Sequence, residues 1–358
     1  MTILHIISSL TGGPARILTD LVYNSPKKYT NVVMILNRMP REDELVHTLE
    51  KKVSKIVYVD RKKKLGTNTF KKIDFIRKNY SPNIIVSYDF RSSVVGYLLK
   101  KSEKTHWFPC VNGLETSFNW WRALINRIIF KASTKVIVPS NAVKLKLIQY
   151  RIVNEKKILI ISNGIKLDGF KKKKHIFYTD INLVCVANFY SKVKGQQYAV
   201  HALKLLPNNY KLTFIGEGRE LENIEALTKK LNLEDRVTFL GKQDNKSLRM
   251  SLPDFDIQVA PSLSESFGIS IIEGMAAGLP IVASNVGGIP EVINSTCGVL
   301  VAPENPTSLA EGILRIGEDQ KVRKILSEKG ISRVEKHYSV EKMARSYHQY
   351  FAEAFKCN

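Results

Sequence analysis

The chain reads as an α/β protein built from two doubly wound parallel sheets. Three observations carry this. Short apolar runs alternate with stretches of helical spacing along the sequence. The cycle breaks once, at a segment beginning Ser162-Asn163-Gly164, and then starts again. The 358 residues are enough for two sizeable cores.

In the first half, strands are expected at residues 3–8, 31–36, 55–59, 83–87, 105–111, 134–138 and 158–161. Helical spacing fills the intervals at 15–23, 68–79, 92–101, 119–132 and 141–150. Strands that alternate with helices imply a parallel sheet. The second half repeats the pattern, with strands expected at 183–187, 211–215, 236–240, 257–260 and 281–283. Residues 162–170 carry an Asn-Gly turn and a second glycine, and lysines follow at 171–174, which suits an exposed linker. This divides the chain into residues 1–168 and 169–358. Residues 339–355, rich in Tyr, Met, Phe and Ala, read as a closing helix.

Composition narrows the function. Hydrophobic content of 44% and charged content of 25% are those of a soluble globular protein. There is no apolar run of transmembrane length, and Met1-Thr2-Ile3 enters a strand without the basic start of a signal peptide. Cys110, Cys185, Cys297 and Cys357 are scattered without metal or redox spacing, which fits reduced thiols in a cytoplasm. The net charge of +22 is uneven: residues 1–178 hold 34 Lys or Arg against 12 Asp or Glu, whereas residues 179–358 hold 21 of each. A basic first half calls for an anionic partner, whether nucleic acid, membrane surface or phosphorylated acceptor.

The most informative stretch runs from Pro261 to Pro280. After an apolar strand ending at Ala260 come Glu265, a Phe267-Gly268 turn, and a helical run that carries Glu273 and stops at Gly278 and Pro280. A helix N-terminus presents unpaired N–H groups and a positive dipole end, suited to phosphate. Acids beside it need neutral partners such as sugar hydroxyls. Together these features point to a nucleotide-sugar site.

Pro261-Ser262, Glu265 with Phe267-Gly268, Glu273-Gly274-Met275-Ala276-Ala277-Gly278, Pro280-Ile281-Val282-Ala283-Ser284 and Gly287-Gly288-Ile289-Pro290-Glu291 closely resemble the signature of the family-four retaining glycosyltransferases, of group 1 type. Its mark is two Glu separated by seven residues. The resemblance implies the glycosyltransferase B architecture, two Rossmann-like domains facing a cleft, with the final helix crossing back to the first. It also implies donor-binding residues. Glu265 and the amides of Phe267, Gly268 and Ile269 would hold sugar hydroxyls and phosphate, and Glu273 the ribose diol. Lys194, before Gly195, matches the lysine that clamps the donor pyrophosphate; the arginine of that loop is replaced here by Asn188. Gly216 and Gly218 match a loop bordering the donor, and Gly12 and Gly13 a glycine loop of the first domain. On the acceptor side, members of this family commonly carry a histidine after the strand expected at 105–111; none stands there here, Asn112 is nearest by position, and Arg16 is a further candidate. Glu265 and Lys194 are the expected catalytic pair.

No metal and no cofactor are expected. Asp254-Phe255-Asp256 mimics a metal-binding D-x-D but opens a strand inside the family pattern. Positive charge from Lys194 and the helix dipole would take the metal's place. His106 begins a strand and carries no expected role. Residues 118–131 form a basic helix with two Trp, suited either to a membrane interface or to the core through a Phe118, Trp121, Ile125 and Ile128 stripe, with Trp120 and Phe130 outside it.

The expectation is a retaining hexosyl- or N-acetylhexosaminyltransferase acting by front-face transfer from a nucleotide-diphospho-sugar. Its acceptor would be lipid-linked or an oligosaccharide, in surface polysaccharide or lipopolysaccharide synthesis. The protein would be cytoplasmic and peripheral on the inner face of the plasma membrane, its basic domain meeting anionic lipid. The alternatives are a nucleotide-sugar epimerase or hydrolase on the same fold, and a basic nucleic-acid-binding module. For the last, neither base-stacking aromatic clusters nor a recognised module is visible, so no nucleic acid partner is expected.

Overall fold

The computed structural model describes residues 1–37, 44–59, 67–100, 104–113, 120–170 and 180–356. The lysines at 62–64 and 171–174, Phe118 and Cys357 lie outside the described residues. Contacts divide the chain into two compact units: Met1–Gly164 with Val340–Asn358, and Ile165–Ser339. The boundary therefore falls four residues before the expected 168, and the last helix is a member of unit 1.

In chain order, unit 1 contains β1 (Thr2–Ile7), α1 (Gly12–Tyr23), β2 (Thr30–Ile35), α2 (Glu44–Glu50), β3 (Lys55–Tyr58), α3 (Thr67–Tyr80), β4 (Ile84–Ser87), α4 (Phe90–Leu99), β5 (His106–Pro109), α5 (Trp120–Ile129), β6 (Val136–Val138), α6 (Asn141–Gln149) and β7 (Ile158–Ile160). Unit 2 follows with β8 (Ile181–Val186), α7 (Gln196–Leu205), β9 (Tyr210–Ile215), α8 (Leu221–Lys230), β10 (Val237–Phe239), α9 (Asn245–Ser251), β11 (Ile257–Ala260), α10 (Ile269–Ala276), β12 (Ile281–Ser284), α11 (Ile289–Val292), β13 (Gly298–Val301), α12 (Pro306–Gly317) and α13 (Gln320–His337). The chain then returns to unit 1 as α14 (Val340–Lys356).

The sheet of unit 1 has the order β3-β2-β1-β4-β5, with every pair parallel. Beyond Pro109 the chain leaves β4 and joins β6: Cys110 bridges Ile137, and Val111 N donates to Ile137 O at 2.9 Å. This change of neighbour ends β5 earlier than the expected 105–111 run. Alternate residues of β1 go to opposite faces. Ile3 and Ile7 join one core with Val33, Ile84 and Phe108. Leu4 and Ile6 join the other with Val32, Ile85 and Trp107. Val340, Met343, Tyr347 and Phe351 of α14 recur at helical spacing and bury into the first of these cores.

Unit 2 has the order β10-β9-β8-β11-β12-β13, again all parallel. Counted from its own first strand this is 3-2-1-4-5-6, the doubly wound dinucleotide-fold order. β13 was not among the expected strands. Its four residues start at Gly298, directly after the turn in which Cys297 N donates to Asn294 O, so turn chemistry masks the apolar run in the sequence. At 118–132 the structure describes α5 only from Trp120 and ends it at Ile129 in a 3-10 turn through Ala132. Of the apolar stripe offered there for the core, Ile125 is half-buried against it but Trp121 and Ile128 are exposed, while Asn126, Ile129 and Phe130 are buried.

His5 sits in the centre of β1, fully buried. Its Nε2–H donates to Asn31 Oδ1 at 3.1 Å and its Nδ1 accepts from the Tyr88 hydroxyl at 2.8 Å. Burial lowers its pKa to about 4, and His348, stacked on Tyr29 at 5.1 Å, is likewise lowered to about 4 by burial. Both are neutral in the folded state, while the unfolded chain takes up protons as pH falls through about 6.5. Stability is thus full above that value and is lost between about 6.5 and 4. Each histidine is expected to cost about 2 kcal/mol between pH 7 and pH 5. All three tryptophans (107, 120 and 121) belong to unit 1, so tryptophan emission during urea unfolding isolates this effect. The midpoint should fall from pH 7 to pH 5, and the fall should shrink in His348→Gln.

Candidate functional site

In unit 2 the strand order reverses between β8 and β11, with β9 and β10 to one side and β12 and β13 to the other. Ligands of open α/β sheets bind at such a switch point, beyond the carboxyl ends of the strands. Two loops stand there: residues 187–195 after β8 and residues 261–268 after β11.

The loops are held in close contact. Leu263 N donates to Val193 O at 2.8 Å. Gly195 adopts φ +68°, and a Cβ there would lie 1.9 Å from Pro261 O, so only glycine permits this approach. On the other flank, Gly288 N donates to Glu265 O at 2.8 Å, and a Cβ on Gly288 would lie 2.3 Å from Ser266 O. The loop that carries Glu265 is therefore wedged between two glycines. Across the contact, Lys194 Nζ donates to Glu265 Oε2 at 2.5 Å, with side chains 22% and 16% exposed. A charge-assisted bond of this kind fixes both side chains at the strand ends. Lys192, two residues earlier on the same turn, is exposed.

Gly268 takes a left-handed conformation, φ +96°, and opens α10. The first amides of α10 have no acceptor within the helix, and its dipole adds positive potential at the same place. Phe267 is anchored by its ring, which is buried edge-on against Tyr338 at 5.7 Å. It therefore contributes backbone to the site rather than side chain. Ile269 and Glu273 are four residues apart on α10 and share a face. Glu273 is only 4% exposed and, with Asp20, one of two buried acids among the described residues.

Asn188 O accepts from Gln196 Nε2 at 2.8 Å, which ties the β8 loop to the first turn of α7. Gly216 and Gly218 follow β9 and are stitched to that loop. Phe189 N donates to Glu217 O at 2.8 Å, and a Cβ on Gly216 would lie 1.9 Å from Ala187 O, while Gly216 N donates to Gly241 O, beyond β10, at 2.9 Å. Between the glycines, Glu217 accepts from Lys242 at 2.9 Å and from the Tyr190 hydroxyl at 3.1 Å; these two bonds, Lys242 foremost, hold its carboxyl below the usual range. Asp256 lies at the opposite end of β11, accepting from Asn182 N at 2.9 Å and facing Arg323 at 3.7 Å.

The remaining expected residues belong to unit 1. Gly12 and Gly13 form the first turn of α1, three residues earlier than the expected helix start. Arg16, a turn further on, faces Asp20 at 4.0 Å. Asn112 donates to Tyr88 O at 3.2 Å and lines a cavity of about 530 Å³ beyond β1, β4 and β5. Thr11 and Pro14, which flank the two glycines, line it as well. Sequence reasoning missed Asp89 in this cavity. Asp89 accepts from Ser8 N at 2.8 Å and Ser8 Oγ at 2.6 Å, and it caps α4 through Ser92 N. An acid at a strand end, three residues before a serine, was the available signal. Arg122 and Asn126 of α5 line the cavity too.

Two family descriptions cover most of the chain: "Glycosyl transferases group 1" matches residues 168–333, and "Glycosyltransferase Family 4" matches residues 11–168. The N-acetyl-alpha-D-glucosaminyl L-malate synthase of Bacillus anthracis is 32% identical over 189 residues, 52% of this chain and 49% of that relative, so the match spans about half of the relative's length. A Campylobacter jejuni N-acetylgalactosamine-N,N'-diacetylbacillosaminyl-diphospho-undecaprenol 4-alpha-N-acetylgalactosaminyltransferase is 28% identical, covering 68% of this chain and 67% of its own. Among solved structures, Anabaena HepE in complex with UDP and glucose superposes with a TM-score of 0.86 at 18% identity, covering 98% of this chain and 99% of that one.

Gly195→Ala tests the loop contact directly. The added Cβ must force the β8 and β11 loops apart, at an expected cost of about 1–3 kcal/mol in unit 2. Urea unfolding followed by circular dichroism reads this against Gly241→Ala, where a Cβ meets nothing within 4 Å. Equal losses in the two variants would mean that the loop contact carries no energy of its own.

Proposed function

Because the chain belongs to the group 1, family-four glycosyltransferases, we propose that it is a retaining, metal-independent transferase of a hexose or N-acetylhexosamine from a nucleotide-diphospho-sugar. The observation that carries this is the Lys194–Glu265 pair at the switch point of unit 2, beside the N-terminus of α10 and the buried Glu273. A nucleoside diphosphate supplies a partner for each group. The diphosphate takes Lys194 and the amides of Gly268 and Ile269. The ribose diol donates to Glu273, and Glu265, released from Lys194, accepts from sugar hydroxyls. UDP and glucose named in the HepE structure support a donor of this class.

In the transfer step the acceptor oxygen bonds to the anomeric carbon as the bond to the leaving phosphate breaks. The acceptor proton passes to that phosphate on the same face. Negative charge grows on the diphosphate, so Lys194 and the α10 amides act most strongly in the transition state. These groups supply the charge that a metal supplies elsewhere, and Asp256 of the Asp-Phe-Asp run stands at the far end of β11, beside Asn182 and Arg323. For the acceptor, the cavity of unit 1 with Asp89, Asn112 and Arg122 offers polar groups. The diphospho-undecaprenol in the Campylobacter relative's name supports a lipid-linked acceptor, and with it a place in surface polysaccharide or lipopolysaccharide synthesis on a membrane face. Among the described residues, no helix is long and apolar enough to cross a membrane. The lipid-linked acceptor and the basic first half together favour a location on the cytoplasmic membrane surface.

Screening the protein against nucleotide-sugars by thermal shift, then by transfer with and without acceptor, tests the proposal. Turnover that needs acceptor supports it, and acceptor-independent epimerisation overturns it. Glu273→Ala should weaken donor binding about ten- to a hundredfold by calorimetry, the worth of a charge-assisted site. Unchanged affinity in the folded variant removes Glu273 from the donor site. Lys194→Ala should lower kcat more than it raises the donor KM, while EDTA leaves the wild-type rate unaltered. Loss of activity in EDTA with recovery in manganese would overturn the metal-free mechanism.

A further inference from the structure

Helix α5 sorts its side chains onto opposite faces. Arg122 and Asn126, four residues apart, line the cavity of unit 1, and Phe130 continues that row. Trp120, Leu124 and Ile128 have the same spacing on the other side and are 78%, 53% and 56% exposed. The helix serves the core through Ile129, and among the described residues this second apolar row joins neither core of unit 1. Basic groups border it. Arg127 and Lys131, with Arg151 and Lys157, line an adjoining hollow of about 560 Å³. The one acid there, Glu155, is bound to Lys144 at 2.8 Å. From Trp120 to Lys157 the sequence holds nine Lys or Arg and only that acid.

We infer that this face of α5 is a docking surface for an anionic lipid bilayer. Trp120, Leu124 and Ile128 enter the headgroup–acyl boundary, and Arg127, Lys131 and Arg151 pair with lipid phosphates. Charge complementarity selects this occupant: an exposed indole and aliphatic row inside a cationic border matches an anionic interface, whose surface is apolar below and negative above. The inference deepens the lipid-linked acceptor reading and gives it a geometry. Because one helix carries both rows, docking would hold the cavity wall formed by Arg122 and Asn126 one helix diameter, roughly 10 Å, from the membrane that holds the acceptor.

The test uses the full chain in co-sedimentation with vesicles of phosphatidylcholine alone or mixed with phosphatidylglycerol, at low salt and at about 1 M, where screening shortens to about 3 Å. Binding is expected only with phosphatidylglycerol and only at low salt, with a blue shift of tryptophan emission. Leu124→Asp/Ile128→Asp and Arg127→Glu/Lys131→Glu should each weaken partitioning about tenfold or more. The exposed Leu205→Asp in unit 2 should bind as wild type. UDP affinity, measured on the same preparations, should be unchanged in every variant, so a failed donor site and a failed docking surface give different results. Equal binding to neutral and anionic vesicles overturns the inference, as does a loss confined to the charge variant. A wild-type dimer abolished by Leu124→Asp, seen by sedimentation velocity, overturns it in favour of a second copy of the chain.

Discussion

The candidate site depends on how closely two loops of unit 2 approach each other. The turn after β8 reaches the loop after β11 at Gly195, where the space left beside Pro261 O admits no side chain, and the amide of Leu263 completes the contact. Gly288 closes the other flank against Ser266. At this separation Lys194 reaches Glu265, which stands on the same loop that leads into the N-terminus of α10. A parallel sheet supplies the ends of β8 and β11, but glycines set their spacing. The chemistry is electrostatic and needs groups held in place before the ligand arrives, which is why backbone packing at a few positions governs it.

Much of this was legible in the sequence because the signals were local. The alternation of apolar runs and helical spacing marked ten of the strands of the two main sheets, each short, buried and followed by a crossover. The acids at 265 and 273, the Phe-Gly turn and the Gly-x-Pro stop all lie within one loop and one helix, so spacing alone placed them at a strand end and a helix start. What escaped was non-local. The bond between Lys194 and Glu265 spans 71 positions and leaves no periodic trace. Asp89 became part of a cavity only through Ser8, 81 positions away. β13 was hidden behind a turn, and the end of β5 moved because the chain changed strand neighbours at Cys110.

Helix α5 shows the same limit. Its hydrophobic pattern predicts an amphipathic helix, but pattern does not say which of two apolar rows meets the core. The core took Ile129 and Phe130, while Trp120, Leu124 and Ile128 were left outside. The charge excess of the first half, diffuse as a composition, becomes specific when basic side chains border that row. Residues 179–358 carry no such excess, with 21 Lys or Arg against 21 Asp or Glu, and the informative cation there is Lys194, partnered and mostly buried.

The most direct measurement is a crystal structure of the protein grown with UDP. The diphosphate should lie within hydrogen-bonding reach of Lys194 Nζ and the amides of Gly268 and Ile269, with the ribose hydroxyls on Glu273 and the Lys194–Glu265 bond broken. Diphosphate density away from the carboxyl ends of β8 and β11, or a bound nucleotide with the Lys194–Glu265 bond intact and Glu273 untouched, would contradict the site described for unit 2.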